Sequence, residues 1–323
     1  MNKKRVLTAP AALVGLGYIE LYRFIFFRFR GITDLLDSNR HSEGYYERRD
    51  NYRAQLLKKE HTRHEIKSRR GVKLVGNYFC CGEKPCGKIA FIVHGYRADG
   101  AEAAGPYADY YLSKGWDVFC CDHASHGESG GLIIGYDFFE SDDCLDWIDY
   151  LIKTLGNDIQ VILHGFSMGG GIVLKMSDRI PQQVRFICSD SGFSDAVNII
   201  KPKLGLLYQP IRCFNMTVGR YDIEETDVRP NLRNARVPIL FVHGMADPTV
   251  PFEMGKELYD MCPTEKDCLF IEGVRHVESI YYFRKEYESK LDDFIERYTE
   301  KGEKNEVRFY NHSKQKRQRF SGI

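Results

Sequence analysis

Short apolar segments alternate with longer amphipathic segments between residues 88 and 299, and this alternation limits the possible folds more than any other feature of the chain. The apolar segments are KIAFIVHG (88–95), WDVFCCD (116–122), QVILHG (160–165), VRFICSD (184–190), PILFVHG (238–244) and DCLFIEG (267–273). Helices between such strands indicate βαβ crossovers and a parallel sheet covered on both faces. HEIKSRRGVKLVGNYF (64–79) adds two strands that turn at Arg70-Gly71. We therefore predict an α/β fold with a mostly parallel, eight-stranded sheet.

Composition narrows the class of protein further. A chain of 323 residues can bury a large core, and its formal net charge of +1 gives no reason to expect nucleic acid as a partner. Ten cysteines include adjacent pairs inside apolar runs, which favours reduced, buried thiols and a reducing, cytoplasmic setting over a disulfide framework. Cys80, Cys81 and Cys86 could bind a metal, but no C-x-x-C pair or paired histidine completes a zinc site.

The first 30 residues leave two alternatives open. Residues 6–27 are apolar apart from Glu20 and Arg23, and basic residues flank them on both sides. Such a segment is long enough for a membrane anchor, but it is equally compatible with a helix that packs on the domain.

The remaining boundaries follow from changes in composition. We predict an apolar N-terminal segment (1–30), a charged connector (31–63), an α/β core (64–192 and 237–299), a small lid insertion (193–236) and a basic, disordered tail (300–323). Apolar residues in the insertion suggest an acyl pocket, although they could equally be buried against the core; they are Leu204, Leu206, Leu207, Tyr208, Phe214 and Met216.

The motif that carries chemistry is GFSMG (165–169), which lies between a buried strand and a helix. A sharp strand-to-helix turn holds its central residue in a strained conformation and leaves no room for side chains at the flanking positions, which explains Gly165 and Gly169. An N-cap serine would not need those glycines. Ser167 is therefore the candidate nucleophile, at the carboxyl end of a central strand.

A serine nucleophile needs a histidine base, and the base needs an acid that orients it. His276 follows the last strand, and Asp247 follows the strand before it. The order Ser167, Asp247, His276 is that of nucleophile, acid and base in this type of fold. Asp190, after the sixth strand, remains a competitor for the acid.

Five pieces in this order resemble the α/β-hydrolases, in particular the serine-aminopeptidase and monoacylglycerol-lipase-like group. They are HGY (94–96), DHASHGES (122–129), GFSMG (165–169), HGMADPTVP (243–251) and RH (275–276), and the resemblance covers residues 64–299. Two departures are Ala124-Ser125, where the group usually has Arg-Gly, and Arg70-Gly71, where Asp-Gly is common. They weaken inferences about the substrate but leave the catalytic assignment intact.

The resemblance implies a serine hydrolase of ester-type acyl substrates that requires no cofactor and no metal. It also implies an oxyanion hole made by the backbone amides of Tyr96 and Met168. Alternatives that share the triad are an acyltransferase, a thioesterase or a peptidase, and a non-catalytic binding module is the alternative of a different class. Asp122, His123 and His126 could be taken for metal ligands, but a carboxylate at a strand end before a glycine turn is the commoner arrangement.

Overall fold

A computed structural model describes residues 8–28 and 41–299 of the chain. Its strands are β1 (Thr62–Lys67), β2 (Lys73–Phe79), β3 (Lys88–Val93), β4 (Asp117–Asp122), β5 (Gln160–Phe166), β6 (Val184–Asp190), β7 (Ile239–Gly244) and β8 (Lys266–Ile271). They form one sheet in the order β1-β2-β4-β3-β5-β6-β7-β8. β2 is antiparallel to both of its neighbours, and every other pairing in the sheet is parallel. The expected eight-stranded, mostly parallel sheet is confirmed.

Helices cover both faces of the sheet. They are α1 (Thr8–Phe26), α2 (Tyr45–Leu57), α3 (Gly100–Ser113), α4 (Glu140–Leu155), α5 (Met168–Lys175), α6 (Val197–Leu204), α7 (Tyr208–Val218), α8 (Arg229–Leu232), α9 (Phe252–Met261), α10 (Ser279–Tyr282) and α11 (Arg284–Tyr298). The segment from 279 to 298 is divided into α10 and α11 at Phe283, whose backbone angles (φ −125°, ψ 43°) are not helical.

The central strands are apolar on both faces because each face has its own cluster of side chains. Phe91, Leu163 and Ile187 point to the cluster that contains Trp147 of α4. Their neighbours along the strands point to the opposite cluster, which contains Phe294 of α11. Alternate residues of a strand face opposite sides of a sheet, so a strand covered on both sides needs apolar residues at every position.

Helix α1 packs on the domain. Tyr22 and Phe26 are each only 1% exposed, and the Tyr22 hydroxyl donates a hydrogen bond of 3.0 Å to Asn215 Oδ1 in α7. None of the helices in the described ranges has both the length and the apolar character needed to cross a bilayer. Of the two alternatives for residues 6–27, the described part supports packing on the domain, and a membrane span is not supported.

The insertion at 193–236 consists of α6, α7, α8 and two short 3₁₀ turns. Its apolar residues have different surroundings. Phe214 packs edge-on against Tyr18 and Tyr22 of α1, whereas Leu206 is 98% exposed. The connector predicted at 31–63 contains α2 in its described part, and the basic tail at 300–323 lies outside the described residues.

Candidate active site

The turn from β5 into α5 places Ser167 at the carboxyl edge of the sheet. Ser167 has φ 54° and ψ −122°, a conformation that L-residues adopt only under constraint. Its backbone N–H donates a hydrogen bond of 2.8 Å to the carbonyl of Asp190 at the end of β6, and its carbonyl accepts from Gly171 in α5. Hydrogen bonds to two neighbouring elements, β6 and α5, thus hold the strained residue in place.

The flanking glycines are required by sterics. A Cβ atom on Gly165 would lie 2.2 Å from the Gly169 carbonyl oxygen, and one on Gly169 would lie 2.0 Å from the Val93 carbonyl oxygen. Both obstacles are backbone atoms, which cannot rotate away as a flexible side chain can. The pattern of glycines around Ser167 therefore has the steric origin expected from the sequence.

Ser167, His276 and Asp247 form a continuous hydrogen-bonded chain. His276 Nε2 lies 2.8 Å from Ser167 Oγ, and His276 Nδ1 lies 2.6 Å from Asp247 Oδ2. The three residues come from loops after β5, β7 and β8, whose carboxyl ends meet at one edge of the parallel sheet. This geometry allows the imidazole to accept the serine proton while the carboxylate stabilises the resulting imidazolium.

The environment of Asp247 keeps its carboxylate charged. Burial alone would raise its pKa, but interactions with His276, His243 and the Val250 amide together outweigh burial, so the pKa lies below its ordinary value. Asp247 Oδ1 also accepts hydrogen bonds from the backbone N–H groups of Thr249 (2.7 Å) and Val250 (2.9 Å). A carboxylate fixed by two amides can orient an imidazole without becoming protonated.

Asp190, the competing acid, has hydrogen-bond partners other than His276. Its carboxylate accepts hydrogen bonds from the hydroxyls of Ser191 (2.9 Å), Tyr287 (3.0 Å) and Tyr107 (3.3 Å). Burial raises its pKa to about 6. Ser191 Oγ in turn accepts from the backbone N–H of Val277 at 3.3 Å, which ties this group to the loop that carries His276.

Histidines at other strand ends are buried. Burial lowers the pKa of His94 to about 4 and that of His164 to about 3, so both are neutral at physiological pH. His164 bonds to the hydroxyls of Tyr111 and Tyr287, and His243 Nε2 bonds to the Val250 carbonyl. Their contacts serve the packing of loops and helices around the triad.

The two residues expected to form the oxyanion hole, Tyr96 and Met168, belong to segments next to the nucleophile. Met168 is the first residue of α5, where a backbone N–H has no intrahelical acceptor and the helix dipole favours negative charge. Tyr96 follows Gly95, and a Cβ on Gly95 would lie 3.1 Å from Ser167 Cβ. The loop after β3 therefore passes directly beside Ser167.

Two of the residues considered as metal ligands, Asp122 and His126, make structural contacts. Asp122 accepts from the backbone N–H groups of Gly100 (2.8 Å) and Glu128 (2.7 Å), and His126 bonds to the Ala124 carbonyl and the Arg97 amide. All ten cysteines lie in the described ranges as free thiols.

Two other groups bring potential ligand atoms within 4.8 Å of one another. The first group is Cys121, His123 and Cys144, and the second is Cys81, Cys86 and Asp117. In the second group, the Asp117 carboxylate already accepts three hydrogen bonds. Each group offers three ligands, whereas structural zinc sites use four.

Hydrogen bonds between the N-terminal part of the chain and the loops of the site were not predicted from the sequence. Tyr96 and Tyr136 donate hydrogen bonds to the Ile25 carbonyl (2.8 and 3.2 Å), and Ser42 donates to the carboxylate of Glu278, two residues after His276. These contacts join residues more than 70 positions apart, so no local sequence pattern predicts them.

Comparison with known proteins agrees with the observed fold. Residues 91–220 match a family model described as "alpha/beta hydrolase fold". The uncharacterized protein YqkD of Bacillus subtilis is 27% identical over 200 residues, which cover 59% of this chain and 65% of that protein. The uncharacterized protein YfhR of Escherichia coli is 24% identical over 239 residues, which cover 72% of this chain and 79% of that protein.

Solved structures share the same fold. The Pyrococcus furiosus esterase Pf2001 is 20% identical with a TM-score of 0.61, and the match covers 75% of this chain and 92% of the esterase. The acylaminoacyl peptidase of Pyrococcus horikoshii is 17% identical with a TM-score of 0.58, and the match covers 76% of this chain and 42% of the peptidase. At these identities, the likeness establishes the fold alone.

Proposed function

We propose that this chain, which has the α/β-hydrolase fold, is a serine hydrolase that cleaves carboxylic ester-type acyl substrates through an acyl-enzyme. One observation carries the proposal. The atoms of Ser167, His276 and Asp247 are joined by hydrogen bonds of 2.8 and 2.6 Å at the carboxyl edge of the sheet. A buried packing role would not require a strained serine, a charged carboxylate and an imidazole in this order.

The geometry supports the following sequence of steps. His276 Nε2 accepts the Ser167 hydroxyl proton as the oxygen attacks the substrate carbonyl carbon, and Asp247 stabilises the imidazolium. The backbone amides of Tyr96 and Met168 donate to the oxyanion. Collapse of the tetrahedral intermediate breaks the bond to the leaving group, which takes the proton from His276. Water, activated by the same imidazole, then hydrolyses the acyl-enzyme and restores the serine hydroxyl.

Labelling with a fluorophosphonate probe tests this proposal. The probe phosphonylates an activated serine, so we expect the full-length protein to be labelled and Ser167→Ala to be unlabelled although equally folded. Failure of the folded wild-type protein to react would favour a non-catalytic hydrolase-fold module.

The substrate class is a separate question because a thioesterase, a peptidase and an acyltransferase share every step up to the acyl-enzyme. We expect p-nitrophenyl esters to be cleaved faster than matched acyl p-nitroanilides and acyl thioesters. Faster cleavage of either matched substrate would replace the ester assignment. Transfer of the acyl group to an added alcohol in preference to water would instead indicate an acyltransferase.

A further inference from the structure

The end of helix α1 runs over the loop that follows β3. Residues 24–28, called here the docked segment, present two carbonyl groups to this loop. Tyr96 Oη donates to the Ile25 carbonyl at 2.8 Å and lies 3.4 Å from the Phe24 carbonyl. The Arg97 guanidinium donates to the Phe24 carbonyl and lies 4.8 Å from the centre of the Phe24 ring.

The docked segment is itself fixed from a second direction. Its backbone pairs with residues 132–134, since the Ile134 N–H donates to the Phe26 carbonyl at 2.7 Å and the Arg28 N–H to the Leu132 carbonyl at 3.0 Å. The Arg28 guanidinium donates to the Ser129 carbonyl at 2.7 Å. The two carbonyls that accept hydrogen bonds from Tyr96 and Arg97 thus belong to a segment that is itself held by hydrogen bonds.

Position matters at Tyr96 because its own backbone N–H is a proposed donor to the oxyanion. An amide stabilises a developing oxyanion only if its direction and distance are already set before the reaction. The loop is conformationally constrained at this point, since Arg97 has φ 62°. Without a hydrogen bond to a group outside the loop, relaxation of this strain would rotate the adjoining peptide groups, including the Tyr96 amide.

We propose that the Tyr96 phenol is a positioning group that holds the Tyr96 amide in the oxyanion hole through its hydrogen bond to the Ile25 carbonyl. The docked segment is then part of the catalytic apparatus, although it contributes no side chain to the triad. This inference rests on the proposed serine hydrolase function.

A simpler role for Tyr96 would be to attach α1 to the domain. The two roles differ in what the loss of the hydroxyl changes. Weaker attachment lowers stability and leaves the reaction unaffected, whereas a displaced amide lowers transition-state stabilisation in a protein that is still folded. The chain offers a control, because the Tyr221 hydroxyl donates to the Ile134 carbonyl at 2.9 Å and the Tyr221 ring packs against Phe26 of the docked segment. Tyr221 is 3% exposed, whereas Tyr96 is only partly buried, so the control is at least as demanding for stability.

The test compares full-length Tyr96→Phe and Tyr221→Phe with the wild-type protein. We expect Tyr96→Phe to lower kcat for p-nitrophenyl acetate about tenfold at unchanged KM, which is less than complete loss of a donor causes. Inhibition by a trifluoromethyl ketone, whose serine adduct carries an oxyanion, should weaken by a similar factor. Tyr221→Phe should keep kcat within about twofold of wild type for a comparable change in melting temperature.

Two results would overturn the inference while the wild-type enzyme remains active. They are an unchanged kcat in Tyr96→Phe, and an equal loss of kcat in both variants. A wild-type protein that reacts with neither the fluorophosphonate nor the ester would refute the proposed function first, and the role of Tyr96 with it.

Discussion

At the scale of single residues, Asp247 and Asp190 show how the surroundings separate two carboxylates near one histidine. Asp247 is bonded to His276 and keeps a pKa below its ordinary value, while burial raises the pKa of Asp190 to about 6. A group that must stabilise an imidazolium has to remain ionised, and this requirement is met by Asp247.

Replacement of the two acids by asparagine should therefore have unequal effects. Asp247→Asn should lower kcat by about 10⁴, because the amide favours the wrong tautomer of His276. Asp190→Asn should retain most of the ester hydrolysis, since Asp190 bonds to hydroxyl groups of residues outside the triad. Steady-state hydrolysis of a p-nitrophenyl ester measures kcat of both variants. A larger loss of kcat in Asp190→Asn than in Asp247→Asn would assign the role of acid to Asp190.

At the scale of elements, the turn between β5 and α5 was predictable because its requirements are local. The strand, the glycines and the helix are adjacent in sequence, so Ser167 could be identified without knowledge of the fold. The division of the last helix at Phe283 was not predictable, because the apolar pattern continues into α11, where Tyr287 and Leu291 are buried. For α1, the sequence left docking on the domain and a membrane anchor as equal alternatives, since the partners that decide between them lie far away in sequence.

The steric origin of the turn can be tested with alanine. Gly169→Ala places a Cβ 2.0 Å from the Val93 carbonyl oxygen and should abolish labelling by the fluorophosphonate and strongly lower the melting temperature. Gly171→Ala is the matched control in the same helix, because its nearest obstacle is the Phe193 ring at 3.1 Å, which can shift. We expect it to remain labelled. Normal labelling of a folded Gly169→Ala would contradict the steric account.

At the scale of the whole molecule, buried carboxyl groups make stability depend on pH. Burial raises the pKa of Glu140 to about 7 from an ordinary value of 4.5, and the side chain is fully buried at the start of α4. Asp143 adds to the shift, whereas the Gly135 amide and Arg70 oppose it. Because the folded state binds this proton more tightly than the unfolded chain, stability is lost as pH rises from about 4.5 towards 7 and above.

Glu140→Gln removes this titration and should reduce the loss of unfolding free energy between pH 5 and pH 8 by about 3 kcal/mol relative to wild type. Urea unfolding at several pH values measures the difference. The exposed Glu296 on α11 provides the control, and Glu296→Gln should leave the pH profile unchanged. A parallel profile for Glu140→Gln and wild type would show that Glu140 is not the group responsible.

The bond between Tyr22 and Asn215 spans 193 positions of the chain. During synthesis at about 5 to 20 residues per second, roughly 10 to 40 s separate the emergence of the two partners from the ribosome. For that interval the surface of α7 that covers Tyr18 and Tyr22 is missing, so this part of the apolar side of α1 stays uncovered. The nascent polypeptide is therefore open to chaperone capture or to self-association until α7 has been translated.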